Sequence, residues 1–204
     1  MSGSEHFDQA AATWDLEDRR VALAHAVAQA IAARVPLAKG QSVLDFGCGT
    51  GLVTLELGPR VGSITGADTS PAMLLALAGK GKALGIPVST LELDSTRAND
   101  LGGPYDLIVS SMTLHHVGDV PALFRQFARH LLPAGQVALA DLDEEDGSFH
   151  EAAVSIHHRG FTREQIRAWL ADSGFHDIHL ETAIVTIKEG KGYPVFLATA
   201  RRGD

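Results

Sequence analysis

Val43-Leu44-Asp45-Phe46-Gly47-Cys48-Gly49-Thr50-Gly51 is a short apolar run that breaks into Gly-x-Gly-x-Gly, with a carboxylate two residues before the first glycine. The run predicts a buried strand from Ser42 to Phe46. The three glycines predict a loop stripped of side chains so that a ligand can lie against the backbone. Asp45 narrows the kind of ligand. A pyrophosphate loop relies on N–H groups and a helix N-terminus, and gains nothing from a negative charge at its mouth. A ligand carrying its own positive charge does gain. Position 52, where a dinucleotide fingerprint would hold its third glycine, is Leu52. Leu52 and Asp45 both weigh against the rival reading of a nicotinamide-dependent oxidoreductase.

On the N-terminal side of the loop, residues 17–35 predict a helix, with Val21, Ala24, Ala28, Ile31 and Val35 as its apolar stripe and Pro36 and Gly40 as its stop. On the C-terminal side, Leu52 to Leu57 predicts a short helix, and Val61 to Thr69 a second strand closing on Asp68. Ser70-Pro71 opens a helix that runs through Met73, Leu74 and Leu77 and is expected to fray at Gly79 and Gly81. Val88 to Leu93 is a third strand with Asp94 beyond its end, residues 96–103 are loop-like, and Asp106 to Ser110 is a fourth strand. Val120 to Leu132 reads as a helix stopped at Pro133-Ala134-Gly135, and Gln136 to Leu142 as a fifth strand. Strands alternating with helices specify a parallel sheet covered on both faces, with ligands beyond the carboxyl ends of its strands. Asp45, Asp68, Asp94, Ser110 and Asp141 all stand at or near such ends and are expected to converge on one cleft.

Residues 143–160 break the pattern, being acidic and then rich in histidine, and a loop of that length predicts a lid or a substrate-binding element. Thr162 with Gln165 three residues later forms a capping-box signal for a helix ending at Gly174. Ile178 to Ile187 and Val195 to Ala200 read as two strands joined across Lys188 to Gly192.

Composition limits the function classes. The chain has 204 residues, enough for one domain with a real core, and its aromatic content is only 6%, so that core is mainly aliphatic. A net charge of −8 without a basic run argues against nucleic acid as a partner. No apolar run is long enough to span a bilayer, and the N-terminus lacks a signal-peptide pattern. The single cysteine, Cys48, excludes an internal disulfide and suits a reducing cytoplasm. The oligomeric state is left open.

The glycine loop, Asp68, Asp94 and the block Tyr105 to His116 (YDLIVSSMTLHH), in this order, resemble the class I S-adenosylmethionine-dependent methyltransferases of the small-molecule type, over roughly residues 7–200. S-adenosylmethionine is the positively charged adenosine ligand that an acidic loop would favour. The resemblance implies a doubly wound, Rossmann-like α/β sheet of seven strands, the last one antiparallel between its neighbours. It implies a single domain over residues 1–204, with residues 1–36 as an N-terminal cap and helix and 143–160 as the substrate loop. Gly47, Cys48, Gly49 and Gly51 would line the cofactor through their backbone. Asp68 would take the ribose hydroxyls, and Asp94 the adenine amine with help from Ser95. Thr69, Met73 and Ser110 would complete that site. Phe7 to Asp15 is similar to the family's FDxxAxxYD cap, with Trp14 in place of tyrosine, so a hydroxyl is lost and a ring N–H remains. The other reading of Phe7 and Trp14 is a helical stripe packed on the domain.

His115 and His116 follow the fourth strand, where the family often places acceptor-facing residues. Of the two, His115 is the candidate to orient or deprotonate the acceptor; the bland reading makes both loop histidines bonded to backbone. His157 and His158 are candidates to line the substrate. With His150 and the carboxylates of 141–146 they could supply imidazole and carboxylate ligands, but no compact metal signature is present and no metal is expected. A non-catalytic S-adenosylmethionine-binding module is the remaining alternative; turnover separates it from an enzyme.

Overall fold

The computed structural model describes residues 3–94, 100–150 and 156–203. Ser95, and part of the predicted substrate loop, lie outside these. The elements in chain order are α1 (Gly3–Ala10), α2 (Asp18–Arg34), β1 (Ser42–Phe46), α3 (Leu52–Leu57), β2 (Ser63–Asp68), α4 (Pro71–Leu84), β3 (Ser89–Glu92), β4 (Tyr105–Ser111), α5 (Val120–His130), β5 (Leu131–Leu142), α6 (Arg163–Asp172), β6 (Phe175–Lys188) and β7 (Lys191–Arg202). Short 3-10 turns stand at Trp14–Leu16, Gly58–Arg60 and Leu114–His116.

Among the described residues seven strands form one sheet in the order β3-β2-β1-β4-β5-β7-β6. β7 is antiparallel to β5 on one side and to β6 on the other, as expected; the remaining neighbouring pairs are parallel. Strand order reverses direction at β1 and β4, which opens a crevice at their carboxyl ends. Residues 189 and 190, both at positive φ, turn the β6–β7 hairpin tightly.

The central strands are buried on both faces, which is why they read as continuous apolar runs. Side chains alternate across the sheet. Leu44, Ile108, Val137, Leu139 and Phe196 enter the core under α5 and α6, and Val43, Leu107, Val109, Ala138 and Leu197 enter the core under α2 and α3. α5 supplies Val120, Leu123, Phe124 and Phe127, spaced at three and four residues as one helical face requires.

Several boundaries and one apolar stripe differ from the sequence reading. α4 does not fray at Gly79 and Gly81 but continues to Leu84, and Gly85 at φ +67° caps it. At Gly81 a Cβ would stand 2.8 Å from Val88 Cγ2, so this glycine admits the returning chain rather than ending the helix. β5 begins at Leu131, ahead of the Pro133-Ala134-Gly135 stop, because Leu131 already pairs with Tyr105 and the irregularity is absorbed as a register shift. The buried stripe of α2 is Leu23, Ala24, Val27, Ala28 and Ile31; Val21 is exposed. No helix among the described residues is long and apolar enough to cross a membrane.

Candidate active site

The glycine loop leaves β1 and turns into α3 at the carboxyl edge of the sheet. Gly51 caps α3 in the left-handed region at φ +86°, where a Cβ would stand 2.3 Å from Leu77 Cδ1. Gly49, at φ +53°, is different: a Cβ there would meet nothing nearer than Met73 Sδ at 4.0 Å. Space therefore lies open against the backbone at Gly49, as a ligand cradle requires. Gly47 N–H and Cys48 N–H both donate to Ala67 O, at 2.8 and 3.0 Å, which fixes the loop to the end of β2.

Asp68 closes β2, and its carboxylate accepts from Gly49 N–H at 2.8 Å and Ser70 N–H at 2.9 Å. It thereby locks the glycine loop to the start of α4, and lone pairs remain for a ligand hydroxyl. Burial pushes its pKa up, against the opposing effect of those backbone donors. Thr69 lies between Asp68 and the helix cap Ser70, whose hydroxyl accepts from Met73 N–H at 3.2 Å. Leu93 N–H donates to Asp68 O at 2.9 Å, which brings Asp94 beside Asp68.

Three of the expected cofactor residues, Asp45, Ser110 and Met73, sit behind the cleft rather than at its mouth, as does the side chain of Cys48. Asp45 is 1% exposed and accepts from Thr54 Oγ1 at 2.6 Å. Burial raises its pKa to about 7. The carboxylate expected to meet a cationic ligand is thus the floor anchor of α3. Ser110 is likewise buried and donates to Phe46 O at 2.8 Å, tying β4 to β1. Met73 packs its side chain under the loop. The Cys48 thiol packs among Leu74 and Leu77 with its pKa well up through burial, so it is no nucleophile.

Asp45 carries a pH prediction. Its carboxyl binds a proton in the folded state at pH values where the unfolded chain, near 3.9, has lost it. Its contribution to stability is therefore full below about pH 4 and lost as pH rises through about 7. The stability of Asp45→Asn relative to the parent should climb between pH 4 and 7, by at most about 1.4 kcal/mol per pH unit. Urea unfolding at pH 5 and pH 8 measures it; a constant difference contradicts the assignment.

The N-terminal segment covers the loop. Asp8 accepts from Ser70 Oγ at 2.5 Å and Ala72 N–H at 3.2 Å. Asp15 accepts from Thr50 Oγ1 at 2.6 Å and Lys80 Nζ at 2.6 Å. These two carboxylates, the aspartates of the FDxxAxxYD-like segment, clamp the cap onto the glycine loop and α4. Phe7 and Trp14 meet edge to face at 5.8 Å, and the Arg20 guanidinium lies 3.9 Å from the Trp14 ring centre. They stand on separate helical turns, so the single-stripe reading fails.

On the far side of the crevice the histidines sort differently from expectation. His115 does not face an acceptor. Its ring is 2% exposed and pairs with the buried Asp141, Nδ1 to Oδ1 at 2.7 Å, while its N–H donates to Asp141 Oδ2 at 3.2 Å. Burial works to raise the Asp141 pKa, but His115 and the backbone donors outweigh it and the net shift is downward. His116 instead meets the cap, its ring centre 5.3 Å from Phe7. His157 and His158 N–H both donate to His115 O, at 2.9 and 3.2 Å. The His158 Nε2–H donates to Val117 O at 3.0 Å, and its ring packs on Phe161 and Trp169. Their backbones staple the returning loop to the turn at His115, and the His158 ring is held inside it. The loop residue that does reach the crevice is His150, with ring centres 4.5 Å from His115 and 6.2 Å from His116. Its ring neighbours His115 and His116 lie in a segment far from it in sequence, so no spacing rule would have singled it out. Among the described residues no group of three metal-ligating side chains forms.

A family model described as a methyltransferase domain matches residues 16–180. The chain is 36% identical over 144 residues to the biotin biosynthesis bifunctional protein BioCD of Bordetella avium, covering 69% of this chain and 30% of that one. It is 31% identical over 153 residues to phosphoethanolamine N-methyltransferase 1 of Triticum aestivum, covering 72% and 31%. Among solved structures it is similar to Haemonchus contortus phosphoethanolamine N-methyltransferase 2 in complex with S-adenosyl-L-methionine, with a TM-score of 0.72 and 19% identity over 87% of this chain and 52% of that one. The chain spans about a third of the length of these two curated relatives.

Proposed function

This chain belongs to the class I S-adenosylmethionine-dependent methyltransferase family, and we propose that it transfers a methyl group from that cofactor to an oxygen, nitrogen or sulfur atom of a small-molecule acceptor. Residues 1–204 act as one methyltransferase domain, in a reducing compartment such as the cytoplasm, to which a single buried thiol is suited.

The observation that carries the reading is the roofed crevice. The cap is held on one side by Asp8 and Asp15, and on the other Phe7 rests on His116, itself in contact with His115 and His150. A macromolecular acceptor needs an open approach; a small molecule is enclosed, which excludes water and holds the reactants in line. S-adenosylmethionine supplies a sulfonium-activated methyl group, so the chain's own task is binding, orientation and exclusion of water. The Gly49 backbone and Asp68 would hold the nucleoside end, with Asp94 beside them for the adenine amine. Asp45 and Ser110 keep the loop and strands in register from behind.

Calorimetry and thermal melting test the reading. S-adenosylmethionine and S-adenosylhomocysteine should bind and raise Tm, by about 2.7 kcal/mol of stabilisation at a hundredfold excess over Kd, while NAD does neither. NAD binding without S-adenosylmethionine binding would restore the oxidoreductase alternative. Labelled methyl transfer to a panel of amines, phenols and thiols then separates an enzyme from a binding module.

A further inference from the structure

At the edge of the sheet opposite the glycine loop, the surface dips into an open hollow of about 350 Å³. Its place follows from the strand pairing. Leu131, where β5 begins, pairs with Tyr105, where β4 begins. β7 runs antiparallel to β5, so Arg202 at its end lies at that same edge. The carboxyl ends of β1 and β4, where the crevice opens, are at the other edge.

Three arginines line the hollow: Arg125 and Arg129 from α5, and Arg202 from the end of β7. The chain as a whole carries a net charge of −8, so three converging guanidinium groups are a local exception and not part of a basic surface. Their gathering has a cost. Arg125 and Arg129 stand four apart on one helix face, a spacing at which like charges weaken a helix. The helix dipole accounts for Arg129, which lies in the last turn of α5. It does not account for Arg125, because that effect dies away within the last turn. The Arg202 guanidinium donates to Leu131 O, the cap of α5, which fixes it beside the helix end. That bond uses one of the five N–H donors a guanidinium carries.

We propose that this hollow binds the phosphate group of a small soluble molecule, at a site separate from the methyl-transfer crevice and independent of that reading. The donors set the chemical class. Each guanidinium offers its N–H groups as a planar fork that matches phosphate oxygens. A phosphate monoester presents three strong acceptor oxygens on one atom, enough for all three arginines. A carboxylate presents two and leaves one fork unused. A concave wall of one charge sign also focuses its field on a compact anion. The size suits a small molecule, whose sites begin at about 300 Å³, and the Ala128 methyl gives its carbon skeleton an apolar contact. An extended polyanion would meet the rest of an acidic surface, which sets nucleic acid and anionic membrane aside.

The test uses the full chain and four probes: inorganic phosphate, glycerol 3-phosphate, glycerol and acetate. Binding is read by calorimetry and by the side-chain Nε–H signals of 15N-labelled arginine. Both phosphates should bind and shift the signals of Arg125, Arg129 and Arg202. Glycerol should be silent, and acetate at least tenfold weaker. Arg125→Gln and Arg129→Gln, both at exposed positions of α5, should each cut affinity for glycerol 3-phosphate about tenfold. Helix content and S-adenosylhomocysteine binding should stay as in the parent. Asp204 follows Gly203 and lies outside the described residues, so Asp204→Asn is measured as well; its affinity should equal or exceed the parent's. Phosphate binding undiminished in the Arg125→Gln, Arg129→Gln double variant overturns the site. So does an absence of binding in both the parent and Asp204→Asn. Cosedimentation with phosphatidic acid vesicles, without binding of glycerol 3-phosphate, overturns the choice of a soluble ligand.

Discussion

Replacing Asp141 by alanine is expected to destabilise the protein by about 3–5 kcal/mol, the range for breaking a buried pair by removing one partner. Asp141 is 0% exposed and accepts from the His115 ring at 2.7 Å, from His115 N–H at 3.2 Å and from Leu142 N–H at 2.8 Å. Alanine leaves all three in a dry interior without their acceptor. Because the net shift of the Asp141 pKa is downward, its contribution is complete above the ordinary carboxylate value of about 3.9 and is lost as pH falls through the folded value. The loss in Asp141→Ala should therefore be full at neutral pH and shrink in strong acid, the reverse of the Asp45 trend and in a lower pH window. Urea unfolding across that range measures both. A cost under about 1 kcal/mol at pH 7 would mean that the pair is not load-sharing in the fold, since even a surface salt bridge reaches that size.

Asp68→Ala is expected to have the largest effect on the cofactor. The carboxylate already holds Gly49 N–H and Ser70 N–H, and hydrogen bonds to a charged acceptor are worth roughly 1.5–3 kcal/mol each. Without it the glycine loop loses its tether to α4 at the one of its three glycines, Gly49, with open space beside it. The ribose hydroxyls lose their proposed acceptor as well. S-adenosylmethionine affinity should fall tenfold or more, with a smaller loss of stability. Asp68→Asn, which keeps one oxygen and the side-chain volume, should lie between the two. Calorimetric titration decides it; parent-like affinity in Asp68→Ala would remove Asp68 from the site.

These two carboxylates separate what was legible in the chain from what was not. Asp68 could be placed because it ends a strand, and in a doubly wound sheet a strand's carboxyl end fixes a residue's position whatever follows it. The same logic gave β1, α3 and the antiparallel last strand, all set by local signals: an apolar run, a glycine turn, a hairpin. Asp141 was also placed at a strand end, but its partner was not. The sequence offers His115 and His116 side by side, and chain position favoured His115, whose ring the structure buries against Asp141. Leu114–His116 forms a single tight turn that points one ring into the sheet and the other under the cap.

The sequence by itself determined the alternation of strands and helices, the cofactor class and the strand ends where chemistry gathers, because each follows from periodicity, turn chemistry or a short motif; the lateral order of the strands came from the structure. Tertiary structure alone decided which side chains face the crevice. Asp45 and Ser110 were drawn behind it because each finds a hydrogen-bond partner in the interior, Thr54 Oγ1 for Asp45 and Phe46 O for Ser110. Asp8 and Asp15 were drawn over it because a helix start and a loop hydroxyl lie within their reach. His150 was brought beside His115 and His116 because segments distant in sequence pack against one another there, and rotation about a few backbone bonds, invisible in the order of residues, sets where each ring points.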